Sequence, residues 1–194
     1  MKPVLTKSEA RRQAKTARNS LSDLEVSVHS RCIFDKLRAL HEYRDCSMIL
    51  AYADCNQEIA TTDFIQTCLK DGKRVALPRV TAAGCMDFYE IHGTSELITG
   101  SFGILEPAGN QLFLPEPHSS VLMILPGVAF DHFCHRVGYG GGYYDRYLKD
   151  KSWIFTIAVC HEVQLMEEII TEEHDISPDL LITENRTLYK NTCI

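Results

Sequence analysis

Leu125 to Leu148 read LPGVAFDHFCHRVGYGGGYYDRYL. The stretch starts at the end of the apolar run Val121–Leu125, turns at Pro126-Gly127, and passes Asp131, His132, His135 and Arg136. It then loses its side chains at Gly138, Gly140, Gly141 and Gly142 before ending in Tyr143-Tyr144-Asp145-Arg146. Four glycines in five positions let backbone N–H groups approach an anion closely, and the residues after them can open a helix. The segment therefore predicts a buried strand, an anion-binding loop and a helix in succession, the order found in parallel α/β sheets. A flexible linker would not need the flanking Arg136, Asp145 and Arg146. The loop is neither of the two common phosphate-binding types. No Lys-Ser or Lys-Thr follows the glycines, and Tyr143 stands where a dinucleotide fingerprint needs its third glycine.

Outward from this stretch the same alternation continues. Ser47–Ala53 has strand length, Thr61-Thr62 caps an amphipathic segment closed by Asp71-Gly72, and Arg74–Val80 is the next strand, a βαβ unit. Met86–Ile91, Trp153–Cys160 and Leu180–Thr183 are further strands, and Tyr144–Lys149 is a helix. Glu162–Ile170 predicts a short helix, and Ser95–Pro117 an irregular loop forming one wall of a cleft. Thr6-Lys7-Ser8-Glu9 and Ser22-Asp23-Leu24-Glu25 are capping boxes that open two N-terminal helices. No repeat, low-complexity tract or long linker divides residues 1–194. The expectation is a single three-layer α/β domain, Rossmann-like in the loose sense, with a mostly parallel central sheet.

With 194 residues, 45% of them hydrophobic, the chain can bury one sizeable core, and its net charge of -6 does not suit a general nucleic-acid binder. The longest apolar run is too short to span a bilayer, and the basic N-terminus lacks the apolar stretch of a secretory signal. Eight cysteines, Cys193 among them, are scattered without a C-x-x-C pair and are expected as reduced thiols in a cytoplasmic protein. Asp131, His132, Cys134 and His135 resemble a ligand list, but no second pair at zinc spacing accompanies them. Cys160 and His161, adjacent on a strand, point to opposite faces and cannot act as a nucleophilic pair. Asp145, directly after the glycines, suits magnesium, which prefers one or two carboxylates with phosphate oxygens. Lys7, Arg11, Lys15 and Arg18 share one helix face. That face is either solvated or an arm over a polyanionic ligand.

The signature PG-x-x-FD followed by R-x-G-x-G-x-G-YYD resembles that of the 5-formyltetrahydrofolate cyclo-ligase family. Pro126, Gly127, Phe130, Asp131, Arg136, Gly138, Gly140, Gly142, Tyr143, Tyr144 and Asp145 occupy its fixed positions. The resemblance implies ATP- and Mg²⁺-dependent conversion of 5-formyltetrahydrofolate to 5,10-methenyltetrahydrofolate, by phosphorylation of the formyl oxygen and ring closure through N10. It implies ATP contacts from Lys7, Arg11, Arg136, Val137, Gly138, Tyr139, Gly140, Gly141, Gly142, Tyr143 and Tyr144. Folate would be held by Ala53, Glu58, Tyr139, Gly140, Gly141, Gly142 and Tyr143, with Glu58 on the pterin. Mg²⁺ would sit on Asp145 and Asp175, with Asp179 kept as an alternative to the second. No residue is assigned as general acid or base. A monomer without nucleic-acid or membrane partners is expected. Some members place basic residues inside the glycine run, where this chain has Tyr139 and Gly141, so phosphate charge must be met by backbone, Arg136, Arg146 and the N-terminal helix. Two other readings stay open: a sugar-phosphate isomerase or acyl-CoA-type enzyme that needs no ATP, and a non-catalytic folate- or RNA-binding relative.

Overall fold

The computed structural model describes residues 4–117 and 119–190, so Cys193 lies outside the described residues. Both predicted capping boxes form. Thr6 and Ser22 accept from the backbone of Glu9 and Glu25, whose carboxylates return the bond, and helices α1 (Lys7–Arg18) and α2 (Asp23–Arg38) start there. Then come α3 (His41–Asp45), β1 (Met48–Leu50), α4 (Thr62–Lys70), β2 (Arg74–Ala82) and β3 (Cys85–Ile91). The stretch expected as irregular loop holds three short strands, β4 (Leu97–Thr99), β5 (Leu105–Pro107) and β6 (Leu112–Phe113), and two 3₁₀ turns. After β7 (Val121–Leu125) the chain makes β8 (Ala129–Asp131), β9 (Arg136–Val137), α5 (Tyr143–Leu148) and β10 (Phe155–Val159). It closes with β11 (Leu165–Met166), β12 (Leu180–Ile182) and β13 (Thr187–Tyr189). The short helix expected within Glu162–Ile170 is a single 3₁₀ turn at Glu162–Gln164, followed directly by β11.

Eight strands form one sheet in the order β13-β12-β10-β7-β1-β2-β3-β6. Its five inner strands, from β12 to β2, pair in parallel, and antiparallel strands cover both edges. The mostly parallel sheet follows from the apolar runs, because a parallel strand is covered on both faces. Strand β7 is buried at every position, yet its side chains alternate. Leu122 and Ile124 face Ile33, Leu37, Phe64 and Ile65 of α2 and α4, whereas Met123 and Leu125 face Phe130, Leu148 and Ile154 on the α5 side. Each such fully buried aliphatic side chain contributes about 1.5–3 kcal/mol through removal from water.

Helix α1 is set apart from this stack. Its buried residues are Ala10, Ala14 and Arg18, and the two alanines pack on Val128, Ala129, Val137 and Ile169 over a small sheet ordered β11-β8-β9. Alanines leave no bulk between helix and sheet, so α1 lies close against β9, the strand that leads into the glycine loop. That contact places the basic face of the helix.

Candidate functional site

Ligands of open α/β sheets bind beyond the carboxyl ends of the strands, and here β1 and β7 end side by side on one cavity. Ala53, Cys55 and Glu58 come from the loop after β1, Pro126 from the turn after β7, and Gly138, Tyr139 and Gly141 to Asp145 from the glycine loop and the start of α5, Gly140 not being among the lining residues. Pro78, Val80 and Met86 of the β2–β3 hairpin and Phe102, Ile104 and Glu106 form the far wall of a cavity of about 440 Å³. The irregular segment is thus a wall of the cleft, as its sequence suggested.

The glycine loop does precede a helix, α5, as predicted, but it does not follow directly on β7: the short strands β8 and β9 stand between, and the loop joins β9 to α5. Gly140 adopts φ +106, which side-chain-bearing residues rarely take. Arg146, expected to help neutralise phosphate, instead folds back on the loop and donates to the carbonyls of Gly141 and Gly84. Arg11 Nε donates to the Gly138 carbonyl at 2.8 Å. Lys7 stands 2.5 Å from Glu172 and 2.6 Å from Asp175, so a residue expected at ATP is ion-paired with one expected at the metal. Val137 is buried beneath α1, leaving only its backbone for a nucleotide.

Glu58 ends a charged chain that begins on α1. Arg18, 2% exposed, donates from Nη1 to the Tyr139 hydroxyl at 3.1 Å, and that hydroxyl donates to Glu58 Oε1 at 2.6 Å. The guanidinium is 3.8 Å from the carboxylate itself, and Cys55 N–H donates to Oε2 at 3.0 Å. Burial pushes the Glu58 carboxyl above its ordinary range, against the opposing pull of Tyr139, the Cys55 N–H and Arg18. The same burial, with the Glu58 charge beside it, raises the Cys55 thiol to about 11, so Cys55 is no nucleophile at neutral pH. Asn56 and Gln57, just before Glu58, both sit in the left-handed region. The Gln57 carbonyl lies 3.1 Å from His161 Nε2, and Gln57 Nε2 donates to Leu21 O. Ala53 lines the cavity with only a methyl group and backbone. Tyr143 and Tyr144 also line it, and Phe102 meets the Tyr143 ring edge-on at 6.3 Å.

At the other end Arg136, 4% exposed, donates from Nη2 to Asp145 Oδ1 at 2.7 Å and from Nη1 to Pro126 O. Its Nε is buried without a hydrogen-bond partner among the described residues. Asp145 also accepts from Ile176 N–H at 3.1 Å, and this bond brings the backbone beside Asp175 to the glycine loop. Burial acts against the Asp175 charge, but bonds from Lys7 and the Glu172 N–H outweigh it and hold the carboxyl below its ordinary range. Asp145 lines the cavity; Asp175 is not among the lining residues. Asp179 instead accepts from the backbone and hydroxyl of Thr156 at the start of the sheet. Carboxylate oxygens are the ligand type a hard divalent cation such as Mg²⁺ takes, but here Asp145 is paired with Arg136 and Asp175 with Lys7.

Asp131 has a different task. Fully buried, it accepts from the backbone of Phe133, His135 and Ile169 and stands 2.8 Å from His135 Nδ1, pinning the β8–β9 turn. Arg18, Phe102, Met86 and Pro78 were not singled out from sequence as site residues. Only Arg18 carried a signal, its place on the basic face.

The model of the 5-formyltetrahydrofolate cyclo-ligase family matches residues 4–184. The chain belongs to this family. A probable 5-formyltetrahydrofolate cyclo-ligase of Schizosaccharomyces pombe is 28% identical over 95% of this chain and 98% of its own length. The 5-formyltetrahydrofolate cyclo-ligase of Escherichia coli is 34% identical over 71% of this chain and 78% of its own. The solved 5,10-methenyltetrahydrofolate synthetase of Aquifex aeolicus superposes with a TM-score of 0.84 at 31% identity, covering 97% of this chain and 94% of that one. Cyclo-ligase relatives thus span the glycine loop and the α1 face together. No helix among the described residues is long and apolar enough to cross a membrane.

Proposed function

We propose that this cyclo-ligase family member converts 5-formyltetrahydrofolate to 5,10-methenyltetrahydrofolate with ATP, releasing ADP and phosphate. The observation that carries the reading is the two-ended cavity: a buried carboxylate, Glu58, lies at one end, and a glycine loop with Arg136 and Asp145 lies at the other. A pterin offers N–H donors to the Glu58 end. A triphosphate needs donors and cations, which the backbone N–H groups of the loop, Arg136 and Arg11, whose Nε already donates to the Gly138 carbonyl, would supply at the loop end.

A formamide oxygen is a poor leaving group, so attack of N10 on the formyl carbon stalls until that oxygen is activated. Transfer of the γ-phosphoryl group to the oxygen makes phosphate the leaving group. N10 then forms the new C–N bond, the C–O bond breaks, and the N10 proton leaves with the phosphate. Such transfer rests on positioning and charge stabilisation, which accounts for a site without an evident nucleophile. Tyr139, between loop and Glu58, joins the two ends and would orient the folate against the nucleotide. Asp145 and Asp175 would hold Mg²⁺, which supplies charge neutralisation at phosphate oxygens. Lys7 would then exchange its Asp175 pairing for the triphosphate. A reducing, cytoplasmic setting goes with this reading, and residues 1–194 would act as one monomeric domain.

The test is a near-ultraviolet scan of the protein with 5-formyltetrahydrofolate, ATP and Mg²⁺. A conjugated methenyl band that grows only when ATP and metal are both present is expected. A folded, ATP-binding protein that yields no band would overturn the reading in favour of a non-catalytic relative.

A further inference from the structure

Beside the cavity, the carboxyl ends of two other parallel strands carry a second cluster. His161 follows β10, Glu184 follows β12, and His29 reaches both from α2. His29 Nδ1 stands 3.0 Å from His161 Nδ1 and 3.6 Å from Glu184 Oε1, and one ligand atom of each residue lies within 4.8 Å of the others. Around a tetrahedral zinc ion with bonds of about 2.0–2.1 Å, neighbouring ligand atoms are roughly 3.3 Å apart. The two measured separations straddle that value.

The chemistry around the cluster is that of a supported ligand set. His161 is fully buried, and its Nε2 lies 3.1 Å from the Gln57 carbonyl. A carbonyl only accepts, so Nε2 carries the hydrogen and Nδ1 turns a lone pair toward His29. A backbone carbonyl on the far nitrogen is a common way of orienting a metal-ligating imidazole. Glu184 is oriented too, since Glu162 N–H donates to both its oxygens, at 3.1 and 2.9 Å. The side chains of His29 and Glu184 are 21% and 12% exposed, so the cluster has an open side for entry and for a water in the fourth position. Two imidazoles and one carboxylate suit zinc, cobalt or nickel better than magnesium.

We propose that His29, His161 and Glu184 form a binding site for a zinc-class divalent cation, separate from the Asp145–Asp175 carboxylates. For both Nδ1 atoms to bind, the hydrogen between the rings gives way as His29 takes its Nε2–H tautomer, so two Nδ1 lone pairs face the ion. Through His161 and the Gln57 carbonyl the ion anchors the left-handed turn that precedes Glu58.

The experiment titrates the full-length protein, free of nucleotide and magnesium, with Co²⁺ as an optical stand-in and then with Zn²⁺. One saturable equivalent is expected, with visible bands of a tetrahedral nitrogen and oxygen set, no thiolate charge-transfer band, and displacement by Zn²⁺. His29→Gln and Glu184→Gln should each weaken Zn²⁺ binding about tenfold or more, and should abolish the Zn²⁺-induced rise in unfolding temperature. Circular dichroism checks that each variant folds, and if one does not, the other decides. A thiolate band, no saturable equivalent, or unchanged affinity in a folded variant would each overturn the proposal. Loss of binding in His174→Ala alone would also overturn it, by moving the ion to the Glu172–His174–Asp175 group.

Discussion

Tyr139→Phe removes one oxygen atom and keeps the ring. That oxygen accepts from Arg18 at 3.1 Å and donates to Glu58 at 2.6 Å. Without it a guanidinium that is 2% exposed loses its acceptor, and a carboxylate that is 6% exposed loses its shortest bond. Hydrogen bonds to charged groups contribute about 1.5–3 kcal/mol each. The Tyr139 ring is 46% exposed, and the Arg18–Glu58 pair at 3.8 Å persists, so solvent and residual attraction return part of the loss. A net destabilisation of about 2 kcal/mol is expected. The pH dependence separates this mechanism from lost packing. Burial raises the Glu58 carboxyl in the folded state, so its contribution to stability is fully present below the unfolded value of 4.5 and is lost as pH rises through the folded value. The Tyr139 bond opposes that rise, so its removal moves the folded value still higher and enlarges the loss on the alkaline side. Urea unfolding of the ligand-free protein should therefore show a larger difference between wild type and Tyr139→Phe at pH 8 than at pH 5. Equal differences at the two pH values, or a difference below about 0.5 kcal/mol, would refute the reasoning.

Gly140→Ala meets no crowding, its added carbon coming no closer than 3.9 Å to Arg11, but φ +106 is strained for alanine. About 1–3 kcal/mol of local strain should appear as weaker binding of both ATP and folate in calorimetry, because the loop is assigned to both. Gly127→Ala would put a carbon 2.3 Å from Cζ of Phe130, and such overpacking should lower stability by about 1–3 kcal/mol in thermal unfolding. Asp145→Asn keeps an acceptor for Arg136 and for Ile176 N–H while removing the charge. Steady-state turnover should fall by roughly two orders of magnitude with little change in unfolding temperature, and full activity would exclude Asp145 from the magnesium set.

Local sequence determined a good deal of this molecule. Capping boxes at Thr6 and Ser22 act within one turn of helix, so their chemistry is legible without any partner. The apolar runs of β1, β7 and β10 and the glycines after β9 likewise state a strand or a loop from composition alone. The family resemblance added the expectation of Glu58 at the pterin and of Asp145 and Asp175 at a metal, whereas in the structure Asp145 pairs with Arg136 and Asp175 with Lys7. Tertiary structure decided which charges meet. Lys7, Arg11, Lys15 and Arg18 form one row on a helix, but sequence does not say that Ala10 and Ala14 set this row against the glycine loop. Nor does it say that Arg18 is the buried member and Lys7 the one paired with Asp175. The hairpin wall of Pro78, Val80 and Met86 was silent for the same reason, since each residue is ordinary strand packing until the chain folds it over a cavity. Periodicity and capping depend on neighbours a few residues away, whereas the meeting of His29, His161 and Glu184 across 155 positions depends on sheet order, which no local pattern encodes.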